Sequence, residues 1–185
     1  MAALALAAGA CAADTETVQL DGTRSRAEFT VKLLWLVNIG GRFGRVRGTV
    51  AIDRFRNQAV VDARIDADSV TMGNDRYESW VKSAEFFDVA HHPEIRFVSA
   101  PFALARLRNG GELPGTLTLR GLAQPVAFVL EPATCERPGY DCEIAVHGAI
   151  RRSDFEMRSR RGALGDKVEL RFGVYAVAAP ARLQP

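Results

Sequence analysis

The sequence predicts an all-β domain of about eight antiparallel strands with one or two short helices. Three observations predict it. Apolar and polar residues alternate with a period of two over most of the chain, the pattern of a strand with one face buried. Turn residues (Gly40-Gly41, Asn109-Gly110-Gly111, Pro138-Gly139) punctuate the runs at strand-length intervals. No sequence unit repeats, so the strands belong to one closed barrel or to a two-sheet sandwich.

The elements follow in order. Ala27, Phe29, Val31 and Leu33 alternate with Glu28, Thr30 and Lys32. The run Leu33–Val37 is apolar on both faces, so its end has to be covered. Gly40-Gly41 reads as a strand-entry turn or bulge; beyond it Val46, Gly48, Val50 and Ile52 alternate with Arg45, Arg47, Thr49 and Ala51. Arg54–Gln58 is a tight connection, after which Val61, Ala63, Ile65 and Ala67 oppose Asp62, Arg64, Asp66 and Asp68. Asn74–Ser83 is the best helix: Tyr77, Trp80, Val81 and Ala84 fall at spacings of three and four, and Asn74 or Asp75 suits its cap.

Phe86-Phe87 breaks the strand rhythm, because neighbouring strand residues point to opposite faces and both rings are buried only at a corner. One ring is expected to plug the interior and the other to fasten the helix to the wall, with Asp88 fixing the turn. Pro93 resets the chain to an extended strand from Ile95, continuing through Phe102–Leu107 to a hairpin at Asn109-Gly110-Gly111. Leu117 and Leu119, then Val126, Phe128 and Leu130, then Ile144, Val146, Gly148 and Ile150 mark three further strands. Arg151–Gly165 is a charged loop or short helix, and Val168, Leu170, Phe172 and Val174 form the last strand.

At 185 residues the chain suits one domain, here residues 14–185. Its 24 basic and 22 acidic side chains leave a net charge of +2, which announces no nucleic-acid footprint. Residues 1–13 form an apolar run with small residues before Ala12–Asp14, read as a signal peptide that exports the chain to a periplasm-like compartment. Lipidation at Cys11 is a weaker alternative, since Ala8 stands where a lipoprotein normally has leucine. Cys135 and Cys142 bracket the Pro138-Gly139 turn, close enough for a disulfide. Two free thiols, the alternative, would fit a cytosolic protein better.

Catalytic signals are absent. There is no GxSxG elbow and no GxGxxG loop. His91-His92 beside Asp88 and Glu94 lacks metal-ligand spacing and His147 is remote in sequence, so no metal is expected. An acid/base pair of Asp88 and His91 is the weakest functional reading. Arg151-Arg152-Ser153-Asp154-Phe155 carries two arginines off a strand end, either to meet a polar head group or to fix the loop by pairing with a neighbouring acid.

Taken together, several blocks resemble the YceI-like family of secreted, lipocalin-like proteins that bind polyisoprenoid lipids. They are Gly41-Arg42-Phe43 followed by Gly48, Ser69-Val70, Lys82-Ser83 with Glu85-Phe86-Phe87-Asp88, and Pro93 through Ser99. Gly115 through Gly121 and Arg152-Ser153-Asp154-Phe155 follow in the expected order; the resemblance spans about Asp21 to Ala178. It implies an eight-stranded antiparallel lipocalin-like barrel whose apolar bore takes an isoprenoid quinone or polyprenyl phosphate. It implies a binding protein that carries or sequesters the lipid, with no enzymatic activity, no cofactor and no nucleic-acid partner. A transient membrane contact for lipid exchange and a homodimer are compatible with it.

The candidate bore residues are Phe29, Val31, Leu33, Phe43, Ile65, Phe86, Phe97, Leu117, Leu119, Phe128, Phe155 and Phe172, with Arg24 and Arg152 for a head group. The family usually has histidine at position 24 and glycine at position 156, where this chain has Arg24 and Glu156. A barrel filled by its own side chains, serving as a structural or protein-interaction module, is the alternative from a different class.

Overall fold

The computed structural model describes residues 15–160 and 162–177. The expected signal peptide, Cys11 and the cleavage region lie outside the described residues. Twelve antiparallel strands form one curled sheet among the described residues. In chain order they are β1 (Thr15–Gln19), β2 (Arg26–Leu33), β3 (Val37–Phe43), β4 (Val46–Asp53), β5 (Gln58–Asp66) and β6 (Val70–Met72). Then come β7 (Glu94–Ser99), β8 (Phe102–Ala103), β9 (Gly111–Leu119), β10 (Leu122–Leu130), β11 (Ile144–Arg151) and β12 (Leu164–Val174). Two short α-helices lie among the described residues, α1 (Asp75–Lys82) and α2 (Arg106–Asn109).

Alternation marks eight of the long strands; β3, which it does not mark, and the short β1, β6 and β8 bring the count to twelve. The sheet order is β1-β4-β5-β7-β9-β10-β11-β12-β2-β3-β6, with β8 paired to β5. The curl is joined where Leu20, after β1, bridges Ala176, after β12, and Val177 N–H donates to Gln19 O at 2.9 Å. Register puts one face of every long strand inward: Phe29 lies opposite Leu170, Ala63 opposite Phe97, and Leu117 opposite both Phe97 and Gln124.

Three expectations need correction. The first concerns Leu33–Val37, whose end is not covered. A three-residue connection, Leu34–Leu36, closed by Leu36 N–H to Leu33 O at 3.1 Å, joins β2 to β3, and among the described residues no element packs over it. Leu34, Trp35, Leu36 and Val37 are 57, 73, 88 and 56% exposed. Leu34 and Trp35 both have positive φ, 48° and 63°, a backbone that favours Asn-Gly and costs a bulky residue about 1–2 kcal/mol each.

Second, Gly40-Gly41 is not a turn: β3 runs through both. The Phe29 ring lies across Gly41, where an added Cβ would sit 2.5 Å from it, so the glycine is a seat for a ring. Third, β7 stops at Ser99 and does not continue through Phe102–Leu107. Phe102-Ala103 pairs instead with β5, α2 follows, and Gly110 at φ 71° caps α2. The left-handed backbone that suggests a hairpin at Asn109-Gly110-Gly111 also ends a helix, and the local sequence does not separate the two.

Helix α1 is capped as expected: the Asn74 side chain accepts from the backbone N–H of Arg76 and Tyr77. Eight residues are marginal alone. Packing holds the helix: Trp80 meets Phe86 edge-to-face at 5.0 Å, and Lys82 joins Glu78 and Asp68. The corner after it places Phe87 against Phe29 and Phe43 at 5.8 and 5.6 Å. The two phenylalanines divide the work only in part as expected: Phe87 packs inside the barrel, and Phe86, under the helix, faces the interior as well. Asp88, at φ 50°, holds the turn by accepting from the N–H groups of His91 and His92.

Candidate ligand-binding site

The inward faces of the strands do not close on one another. They enclose an apolar cavity of about 500 Å³, within the size range of small-ligand sites. Its lining changes along the barrel. At the α1 end Phe43, Val46, Ile65, Phe86, Phe87, Met157 and Leu164 are buried. At the other end Ile52, Leu104, Leu107, Tyr140, Ile144 and Tyr175 are half-buried, and Arg26, Arg54 and Arg137 are exposed. That gradient makes the second end the open one.

Aromatic rings pave the middle of the bore. Phe97, Phe128 and Phe172 form a chain, with centroids 5.1 and 5.4 Å apart. Phe128 can lie against the wall because Gly148 faces it; a Cβ there would stand 2.5 Å from the ring. A ring held flat on glycine leaves room in front of it.

Of the candidate bore residues, Phe29, Val31, Phe43, Ile65, Phe86, Phe97, Leu117, Leu119, Phe128 and Phe172 line the cavity. Leu33 and Phe155 do not. Leu33 is the last residue of β2, beyond the cavity and beside the turn. Phe155, 1% exposed, closes a short 3₁₀ turn (Arg152–Phe155) and is plain core.

The two head-group candidates also separate. Arg24 is exposed at the open end, its guanidinium 3.8 Å over the Tyr175 ring and donating to Tyr140 O at 3.4 Å; it does not itself line the cavity. Arg152 does, but from the closed end and only 3% exposed. Its guanidinium donates to the carbonyls of Gly165, Met157, Ser159 and Leu164, at 2.9, 3.1, 3.3 and 3.0 Å. It fixes the 156–165 loop through backbone oxygens, where the sequence suggests a neighbouring acid. Asp166 is taken up by the Ser153 N–H and hydroxyl instead.

Sequence reasoning misses the rim. Arg26 pairs with Glu143 at 2.6 Å, Arg54 with Glu16 and Arg137 with Asp141 at 2.7 Å. These side chains look like ordinary solvated charges until the fold brings them to one end. Close by, Cys135 and Cys142 form a disulfide with Cα atoms 6.1 Å apart, crossing the loop between β10 and β11. It ties down the segment that carries Arg137, Pro138 and Tyr140 to the opening.

The histidines do not gather. His91 Nδ1 is 2.9 Å from Asp88 Oδ1, a bond that holds the Asp88 carboxyl below the usual range, and His147 pairs with Glu131 on the outer face. Among the described residues no three His, Cys, Asp or Glu side chains are placed to hold a metal.

Comparison with known proteins agrees with this geometry. The sequence matches the YceI-like domain over residues 18–176. It is 29% identical to a UPF0312 protein of Pectobacterium atrosepticum over 94% of this chain and 91% of that one. It is 27% identical to protein YceI of Salmonella arizonae, over 96% and 94%. Among solved structures, the fold is similar to Burkholderia cenocepacia BcnA (TM-score 0.70, 23% identity, 86% of this chain and 99% of that one). A polyisoprenoid binding domain from Saccharophagus degradans, implicated in plant cell wall breakdown, is also similar (TM-score 0.64, 17% identity, 87% and 98%).

Proposed function

The chain belongs to the YceI-like family, and from that premise we propose that it is a non-enzymatic carrier holding the tail of an isoprenoid lipid in its bore. One observation carries the reading: the apolar cavity that runs between the closed and open ends of the barrel. An isoprenoid tail makes no hydrogen bonds, so its affinity comes from buried area. At ~0.8 kcal/mol per buried methylene-sized group, a five-carbon unit contributes about 4 kcal/mol before ordering costs. The phenylalanine-paved walls suit that demand, and the polyisoprenoid binding named for the Saccharophagus protein supports it.

The tail points toward α1 and the head group, a quinone or a phosphate, stays at the arginine and tyrosine rim. Export to a periplasm-like compartment belongs to the same reading. The Cys135–Cys142 disulfide supports it, because such bonds persist in oxidising compartments. A filled barrel acting only as a structural module has the open bore against it.

The test is extraction of the purified protein with organic solvent followed by mass spectrometry, together with titration of the extracted protein with a long-chain quinone. Co-purified prenyl lipid or saturable quinone binding is expected. Finding neither overturns the proposal.

A further inference from the structure

We propose that the tip of the β2–β3 hairpin is a docking element that seats in the interfacial layer of an anionic lipid bilayer. It presents four consecutive apolar side chains, Leu34, Trp35, Leu36 and Val37, each more than half exposed. Tryptophan and leucine together at a protruding point match the bilayer interface, where an amphipathic ring is most at home.

The backbone adds an independent observation. Leu34 and Trp35 occupy two consecutive left-handed positions, where Asn-Gly would make the same turn with less strain. Bulky apolar residues held there against local preference mark a site of function.

The charges around the tip select the surface. Lys32 is exposed beside Trp35 and forms no ion pair among the described residues. Lys167 shares that hollow. Its two acids, Asp166 held by the Ser153 N–H and hydroxyl and Glu169 paired with Lys167, leave the hollow itself balanced. The neighbouring loop, which accepts the Leu34 N–H at Ala163 O, also carries Arg158, likewise without an ion pair among the described residues. Residues 151–169, the segment that carries this loop, hold six basic and four acidic side chains, and Lys32 adds a further cation, so the balance is positive, which favours anionic head groups.

A second copy of the chain is a poorer occupant. Burying all four side chains covers a few hundred Å², short of the ~800 Å² per partner of a standard interface. A bilayer needs no complementary shape. The tip projects from the α1 end, so the docked molecule keeps its opening toward solution, and docking does not depend on whether a lipid fills the bore.

The experiment is sedimentation of the intact protein with vesicles of phosphatidylcholine alone or mixed with phosphatidylglycerol. Leu34→Asn/Trp35→Gly is the paired variant, chosen because it suits the turn and keeps the hairpin. Wild type should bind the anionic vesicles at least about tenfold more tightly than the neutral ones, with salt weakening the complex. The double variant should lose about tenfold or more in partitioning while its thermal midpoint does not fall. No wild-type binding, or equal binding by the variant, overturns the proposal. So does a wild-type dimer in sedimentation velocity that the variant converts to monomer, because the tip would then be a protein contact. Lipid content by mass spectrometry is read separately, so failure here leaves the carrier reading standing.

Discussion

Replacing Arg152 with methionine should cost the protein about 3–5 kcal/mol of stability. The guanidinium is 3% exposed and supplies hydrogen bonds to four backbone carbonyls on both sides of the 156–165 loop. A hydrogen bond from a charged donor is worth about 1.5–3 kcal/mol. Methionine recovers some packing and removes the cost of burying a cation, which brings the sum down to the loss typical of breaking a buried ionic site. Arg152→Lys keeps the charge but lacks the fork that spans the carbonyls, so it should recover less than half. Urea unfolding followed by tryptophan fluorescence measures the difference; for a domain of this size the thermal midpoint should fall by about 6–20 °C. A loss below about 1 kcal/mol, accompanied by weakened lipid binding, would refute the reasoning and make Arg152 a head-group ligand.

Other perturbations have equally definite outcomes. Gly148→Ala should push Phe128 off the wall and lower lipid uptake, whereas Gly73→Ala, with nothing within 4 Å of its Cβ, should leave uptake unchanged; quinone titration separates them. Reducing the Cys135–Cys142 bond removes a constraint on an eight-residue loop and should cost about 2.5 kcal/mol in the chain-entropy account, seen as a lower midpoint with a reductant present. The Asp62 carboxyl lies below its usual pKa because Arg96 donates to it. Its contribution is therefore complete above the unfolded carboxylate pKa of ~3.9 and is lost as pH falls through the lower folded value. Asp62→Asn should flatten the acid limb by less than about 1 kcal/mol, the pair being partly exposed, as read from urea midpoints at neutral and acid pH. Glu156 sits at φ 58°, the position where the family usually has glycine, and Glu156→Gly should gain up to about 1 kcal/mol in the same assay.

Alternation makes the strands legible because register is a local property: Phe29, Ile65, Leu117 and Phe172 declare the inner face by their neighbours alone. The corner at Phe86-Phe87 is legible for the converse reason, since two adjacent buried rings do not fit a strand. What fails depends on tertiary placement. Phe155 has the composition of a bore residue, yet the 3₁₀ turn directs it into the core. Gly41 reads as a break and Gly148 as one more position of a strand, although each is the seat of a phenylalanine from a neighbouring strand. Arg26, Arg54 and Arg137 are far apart in the chain, and only the curl of the sheet assembles them into a rim. The β2–β3 tip is misjudged for a different reason: a run that is apolar on both faces reads as covered, but whether any element reaches a turn is not a local property.

The Phe86-Phe87 corner has one more consequence for a tail that enters from the open end. It is a fixed stop, braced by Phe29, Phe43 and Trp80, and so works as a depth gauge. A chain shorter than the bore leaves its last stretch unfilled and forfeits those contacts. A longer one loses nothing inside and leaves its surplus carbons and head beyond the arginines. In the carrier proposed above, discrimination by length is therefore one-sided: the barrel would set a minimum for its cargo and no maximum.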